Sequence, residues 1–209
     1  GRHCWLGEMT DKTYHHGNLA AELLQAAERE LVLNGIEAFS LRAVAKRAGV
    51  SHGAPAYHFK SARGLLTALA ATGYERLVEA QEARQSDAGS APKEQLIAIG
   101  LGYLDFAEAN PDLFRLMFSS EKPDRGDAHF DTAAKAAFGK LLDGVREVLG
   151  RDPSAHPSAM TQVAASWAMV HGLADLIISG RLDGPLALKE ISGPDREMLL
   201  SRILLKALA

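Results

Sequence analysis

The sequence predicts an all-α protein of about nine helices, and three observations predict it. Apolar residues recur at three- and four-residue intervals through nearly the whole chain. No stretch alternates apolar with polar residues as a half-buried strand does. The periodic segments are bounded by Ser, Pro, Gly and Asn at the positions where helices start and stop. With 209 residues, 47% hydrophobic and 23% charged, the chain can bury a core and form one domain or two small ones.

In Asn18 to Asn34, residues Ala20, Leu23, Leu24, Ala27 and Leu31 share a helix face, and Asn34-Gly35 is a stop. Ser40 caps a second helix, Leu41 to Ala48, which buries Leu41, Val44 and Ala45 while Arg42, Lys46 and Arg47 point elsewhere; Gly49 ends it. Ser51 is expected to cap a third helix through about His58, in which Pro55 forfeits a bond to the Ser51 carbonyl. Ser61 caps a fourth, about Ala62 to Ala83, with Leu65, Leu66, Leu69, Tyr74, Leu77 and Val78 on its buried side. Its roughly 22 residues would span about 33 Å. Gln85 to Pro92 (QSDAGSAP) reads as a linker.

Beyond it, Pro92 opens a helix of about Lys93 to Ala109, and Asn110-Pro111 breaks it and starts a short one, Asp112 to Ser119. Glu121 to Asp127 is a loop, followed by a helix from about Ala128 to Leu149 and a second loop, Gly150 to Pro157. The last two helices run from about Ser158 to Ser179 and Pro194 to Leu208. There is no internal repeat and no low-complexity tract.

A net charge of −3 gives the whole chain no electrostatic reason to bind a polyanion. The sum hides a division. From Ala38 to Tyr74 there is no acid, while Arg42, Lys46, Arg47, Lys60 and Arg63 give +5; residues 71–209 carry −5. Either these cations meet acids from elsewhere in the fold, or they form a small basic surface. A single cysteine, Cys4, excludes an internal disulfide and a multi-cysteine metal site, and fits a reducing cytosol. No apolar run approaches the roughly 18 residues of a membrane span; Ala164 to Ile178 is interrupted by Ser166, His171 and Asp175. Residues 1–9 are expected to be a leader outside the fold.

Helix, the turn Gly49-Val50-Ser51, then helix is a helix-turn-helix pattern, and it lies inside the acid-free stretch. The run from Tyr14 through Leu66 resembles the N-terminal DNA-binding domain of the TetR family of transcriptional regulators. The most specific pieces are Phe39-Ser40-Leu41-Arg42, the Ala45 to Ser51 segment AKRAGVS, and Tyr57-His58-Phe59-Lys60 followed by Leu65-Leu66. Trp167 with His171-Gly172-Leu173 is similar to the Trp…His-Gly signature of one TetR-type C-terminal domain. The resemblance implies a DNA-binding domain over 10–62 and an effector-binding and dimerisation domain over 63–209, with no cofactor. Its implied partners are a palindromic double-stranded operator, a small-molecule effector and a second subunit packed through the last two helices.

By that resemblance the recognition helix is Ser51 to His58. His52, Gly53 and Ala56 are the base readers: Gly53 and Ala54 permit close backbone approach, and Ala56 suits a thymine methyl. Tyr57, His58 and Lys60 match the family's phosphate contacts, flanked by Ser40, Arg42 and Ser51. Pro55 and Ala56 depart from the apolar-then-aromatic pair common in the family. Arg63 stands where many members carry an acid; it is unfavourable against the helix dipole by about 0.3–1 kcal/mol but an asset beside a bound phosphate, and is expected to clamp the backbone. Phe59 is expected in the core. Tyr14, His15 and His16 precede the first helix, either reaching the DNA backbone or forming a lead-in.

In the second half, Val163, Trp167, Val170, Ala174 and Ile177 form a packing seam, with Met169, Leu173 and Leu176 on another face, and the last helix is equally apolar. A two-fold four-helix interface covers both helices; a monomer with both at its centre is the alternative. Tyr103, Phe106, Phe114 and Met117, with Trp167 and His171, are the candidate effector contacts, with core packing the competing reading of the aromatic cluster. Asp175 follows His171 at i+4 and is expected to orient or charge it. The competing functions are a helical ligand-binding module without DNA affinity and an enzyme using His171 and Asp175.

Overall fold

Ser40, Gly49 and Ser61 set the boundaries of the first helices. The computed structural model describes residues 15–208, which hold ten α-helices, two 3-10 turns and no strand; Cys4, Tyr14 and the expected leader lie outside the described residues. Helix α1 (His15–Asn34) ends where Gly35, at φ +78, donates to the Leu31 carbonyl at 2.9 Å. Helix α2 (Leu41–Ala48) begins with Ser40 Oγ accepting from Ala43 N–H at 3.1 Å. It ends at Gly49, whose φ of +69 is strained for any side-chain-bearing residue and lets Val50 N–H reach back to the Ala45 carbonyl at 3.1 Å.

The third helix is shorter and later than the sequence reading. Helix α3 is Ala54–Phe59, preceded by Gly53, and Ser51 does not cap it: the Ser51 carbonyl instead accepts from Ala54 N–H at 3.1 Å in a turn. Pro55 therefore falls in the first turn, where a backbone N–H has no helical partner, and forfeits nothing. Helix α4 (Ala62–Asp87) starts with Ser61 Oγ accepting from Gly64 N–H at 3.0 Å. It runs through the first three residues of the expected linker. Gln95 ties down that extension by donating to the Gln85 carbonyl in its last turn and to the Gly89 carbonyl just beyond it, at 3.1 and 2.9 Å.

The chain divides into two compact units between Leu66 and Thr67, inside α4. In the first, Leu23, Ala27 and Leu31 of α1 are buried, as are Val44 and Ala45 of α2, and Phe39 and Leu65 complete the core. In the second, α5 (Pro92–Ala109) is central and packs against α6 (Pro111–Ser119), α7 (Ala128–Leu149), α8 (Pro157–Ile178) and α10 (Gly193–Leu205). Prolines in the first turns of α5, α6 and α8 start them, and Asp127 Oδ1 caps α7 by accepting from Phe130 N–H at 2.9 Å. Between the last two helices the sequence predicts, residues 180–193 contain one extra turn, α9 (Asp183–Leu186). Arg84 of α4 donates to Asp105 of α5 and Glu197 of α10, and Arg196 of α10 donates to Glu108 of α5, so α10 is tied by charge as well as by buried Leu200 and Leu204. No helix among the described residues is long and apolar enough to cross a membrane.

Helices α4 and α5 touch backbone to backbone at Gly102. A Cβ there would lie 2.5 Å from Gln81 Cα and 2.7 Å from the Ala80 carbonyl oxygen, neither of which can rotate aside. Gly102→Ala is expected to destabilise the second unit by about 1–3 kcal/mol or more, because the two helices must separate to admit one methyl. Thermal unfolding followed by far-UV circular dichroism checks it.

Candidate nucleic-acid interface and interior cavity

The first unit places the expected contact residues on and beside α3. Gly53, Ala56, Tyr57 and Lys60 fall at helical spacing and are exposed, Tyr57 at 83%. His52, Ser51, Arg42 and Arg63 are exposed too; Ser40 and His58 are half-buried, the first occupied as a cap, the second with its ring edge-on to Tyr57 at 5.2 Å. Phe59 is half-buried. His15 and His16 open α1, and their side chains lie outside the described residues.

Lys60 sits in a strained conformation. Its φ of +69 and ψ of −48, with Ser61 N–H donating to the Phe59 carbonyl at 2.8 Å, make a classical γ-turn, a rare geometry for a residue with a side chain. The turn stops α3 abruptly and lets Ser61 start α4 at once. Such strain persists only where the surroundings hold it, and it concentrates at functional positions.

Arg47, one of the five cations of the acid-free stretch, meets Glu30. Its Nη2 and Nε donate to Glu30 Oε2 at 2.8 and 3.1 Å, while Asn34 Nδ2 donates to Glu30 Oε1 at 2.7 Å. The Arg47 hydrogen bonds hold the Glu30 carboxyl below the ordinary carboxylate range against the opposing effect of burial. For Arg47, then, the acid does come from elsewhere in the fold.

The second unit contains a cavity of about 470 Å³, within the range of small-molecule sites. Tyr74, Leu77 and Gln81 of α4 wall one side and Leu96, Ile99 and Tyr103 of α5 another; Phe130, Phe138 and Leu141 of α7, Trp167 and Val170 of α8, and Leu204 of α10 complete it. Arg125 and Lys135 stand in the wall, facing Glu121 at 3.8 Å and Asp131 at 2.6 Å. Trp167 packs on Phe138 with ring centres 5.7 Å apart and keeps 42% of its surface open.

Of the expected effector contacts, Tyr103 and Trp167 reach this cavity. Phe106, Phe114 and Met117 do not: they are fully buried behind its wall as packing residues. His171 also lies behind it. Its Nδ1 is 2.8 Å from the Tyr103 hydroxyl, its ring stacks on Phe114 at 5.2 Å, and Phe118 meets it edge-on at 5.1 Å. The expected pairing with Asp175 is not formed; Asp175 acts on His171 only through its charge, and burial outweighs it, lowering the imidazole from its ordinary value of 6.5. Burial raises the Tyr103 phenol, which stays protonated at any ordinary pH. Spacing missed Gln81, although a polar residue seven positions from Tyr74 on the buried stripe of α4 was the available signal.

Two family models match the chain. One, described as bacterial regulatory proteins of the tetR family, covers residues 23–69; the other, a tetracyclin repressor-like C-terminal domain, covers 96–192. Together they span both units. The chain belongs to the TetR family.

A structure from Rhodococcus sp. RHA1 of a protein with unknown function is 30% identical, with a TM-score of 0.72 over 94% of this chain and 95% of that one. The HTH-type transcriptional regulator BetI of Stenotrophomonas maltophilia (strain R551-3) is 26% identical over 73% of this chain and 77% of that protein. A TetR family transcription regulator from Marinobacter aquaeolei VT8, at 16% identity, shares the fold, with a TM-score of 0.65 over 93% of this chain and 97% of that one. As a TetR family member the protein is a DNA-binding transcriptional regulator and not an enzyme.

Two expectations follow from the geometry. Because Arg47 is engaged by Glu30, Arg47→Ala should cost about 2–3 kcal/mol of stability while leaving the salt dependence of DNA affinity unchanged, as melting curves and titrations at several salt concentrations would read. Because the folded state lowers the His171 pKa, its neutral form contributes stability that is complete above about pH 6.5 and is lost as pH falls through the lowered value. Melting temperatures between pH 7.5 and 5 should therefore fall less steeply in His171→Asn than in the parent.

Proposed function

We propose that this TetR family regulator is a homodimeric repressor that leaves a palindromic operator when a small, largely apolar effector fills the cavity of its second unit. The observation that carries the reading is the presence in one chain of an exposed recognition segment and an apolar cavity, with α4 supplying residues to both units. A ligand that displaces α4 at Tyr74 and Leu77 acts on the helix that follows the recognition segment. A coupling of about 1–3 kcal/mol would change operator affinity roughly 5- to 150-fold.

Dimerisation is supported by the apolar surface of the last two long helices: Trp167 and Leu176 on α8, and Met198 and Leu205 on α10, are exposed. Pairing these helices across a two-fold axis buries them and gives the two-fold symmetry of a palindrome. In the proposed complex His52, Gly53 and Ala56 face base edges, and Tyr57, His58 and Lys60 bind phosphates flanked by Ser40, Arg42 and Ser51, with Arg63 clamping the backbone from the first turn of α4. Tyr103 and Trp167 contact effector directly, while Phe106, Phe114, Met117 and His171 hold them in place.

Gel-shift selection from random duplexes at moderate salt tests the reading. Enrichment of an inverted repeat is expected, and recovery of no preferred sequence would overturn it. Tyr57→Ala and Lys60→Ala should weaken binding to all selected sequences alike, Lys60→Ala lowering the salt slope by about 2, one phosphate for each subunit. Loss confined to one base position would contradict the phosphate assignment.

A further inference from the structure

Gln81 is 3% exposed, and its Oε1 is the one buried side-chain polar atom among the described residues without a hydrogen-bond partner. Its Nε2 donates to the Ile99 carbonyl at 3.4 Å. A carbonyl only accepts, so that bond orients the amide, NH2 toward α5 and Oε1 away from it. The backbone beneath Gln81 is pinned against Gly102, so the side chain cannot be carried out of the wall without parting α4 from α5. A buried acceptor with no partner bears its full desolvation cost, and nearly every such group in a native protein is satisfied by something. Gln81 is one of the residues that line the cavity, so the cavity is where a partner for Oε1 can come from.

We propose that the cavity takes an uncharged, largely apolar molecule carrying one hydrogen-bond donor, a hydroxyl or an arylamine or amide N–H, which it delivers to Oε1 of Gln81. The proposal rests on reading the cavity as the effector site and names the chemistry that site selects. The apolar body follows from Leu77, Ile99, Phe130 and Phe138. Neutrality follows from the exposure of the charged residues of the wall: Arg125, Asp131 and Lys135 keep side chains 59%, 47% and 76% exposed, so an ion beside buried Gln81 would lose its hydration without gaining a buried counter-charge. The need for a donor follows from Oε1, which can only accept. A site built around a buried polar partner discriminates more sharply than an apolar wall, because an analogue lacking the matching group leaves that partner desolvated and unpaired.

The test uses two uncharged fluorophores that differ only by methylation of one nitrogen. N-phenyl-1-naphthylamine has an N–H donor; its N-methyl derivative has none, and both brighten on leaving water. With the full chain, the N–H probe should bind about five- to tenfold more tightly, and Gln81→Met should erase that preference while still binding the methylated probe. Equal affinity of the two probes for the parent protein would overturn the role of Gln81 and leave the effector cavity standing. Binding of neither probe, nor of matched 4-alkylphenols and their methyl ethers by calorimetry, would overturn the cavity reading and this proposal with it. Unliganded Gln81→Met should melt at or above the parent temperature, since it removes an unpaired acceptor for an apolar chain of similar length. A fall of many degrees would make Gln81 a structural strut and overturn the proposal.

Discussion

The second unit is organised by the contact of α4 with α5 at Gly102, where a hydrogen stands in place of a side chain and two helix backbones meet. Helices this close at one point must spread their side chains on either flank. On one flank Arg84 reaches Asp105 and binds α10 through Glu197. On the other, Tyr74 and Gln81 from α4 and Ile99 and Tyr103 from α5 line the cavity that α7 and α8 help to wall. The fully buried aromatics behind it, Phe106 and Phe114, give its wall the rigidity that a defined ligand shape requires.

The first unit rests on a different economy, the sorting of a few charges. The acid-free stretch supplies five cations, and one of them, Arg47, is turned against Glu30, where it joins α2 to α1. Arg42, Lys46 and Lys60 are exposed around the recognition segment. That leaves a small cationic surface on a chain whose remaining residues are acidic, which limits sequence-independent attraction to DNA. The strained turn at Lys60 adds position to charge: it fixes where the ammonium stem leaves the backbone, between the end of α3 and the start of α4.

Helix boundaries were legible wherever a single residue type enforces them. Ser40, Gly49, Ser61, Pro92, Pro111 and Gly150 act through their own backbone or hydroxyl chemistry, so spacing and identity were enough. The start of α3 was misplaced because Ser51 and Pro55 gave competing signals, and proline's preference for the first turn decided between them. The extension of α4 to Asp87 depends on Gln95, a contact across a turn that no local rule contains. The cavity was only half legible. Aromatic residues at helical spacing identify a buried cluster, but whether each ring faces a cavity or fills the core depends on how far neighbouring helices stand apart, which periodicity does not encode. Tyr103 and Trp167 face the space, while Phe114 and Met117 fill the interior behind it.

The proposed reading surface is poor in hydrogen-bonding reach, and this constrains how it can specify a sequence. Gly53 and Ala56 offer no polar side-chain atoms, and of the three proposed base readers His52 alone carries a long polar side chain. Bidentate pairing of the kind an arginine makes with guanine is absent from these positions, so less discrimination is available from each base contact. In the proposed complex short side chains compensate by letting the helix sit deep in the groove, where methyl contacts and the fit of the backbone to the groove carry information. Deep seating in turn requires that phosphate contacts hold the register, which places the burden on Tyr57, exposed at the end of α3, and on Lys60 in its γ-turn. A recognition segment of this kind is specific only when two copies are held at a fixed spacing. In the proposed switch, that sensitivity to spacing is what a ligand acting through α4 would exploit.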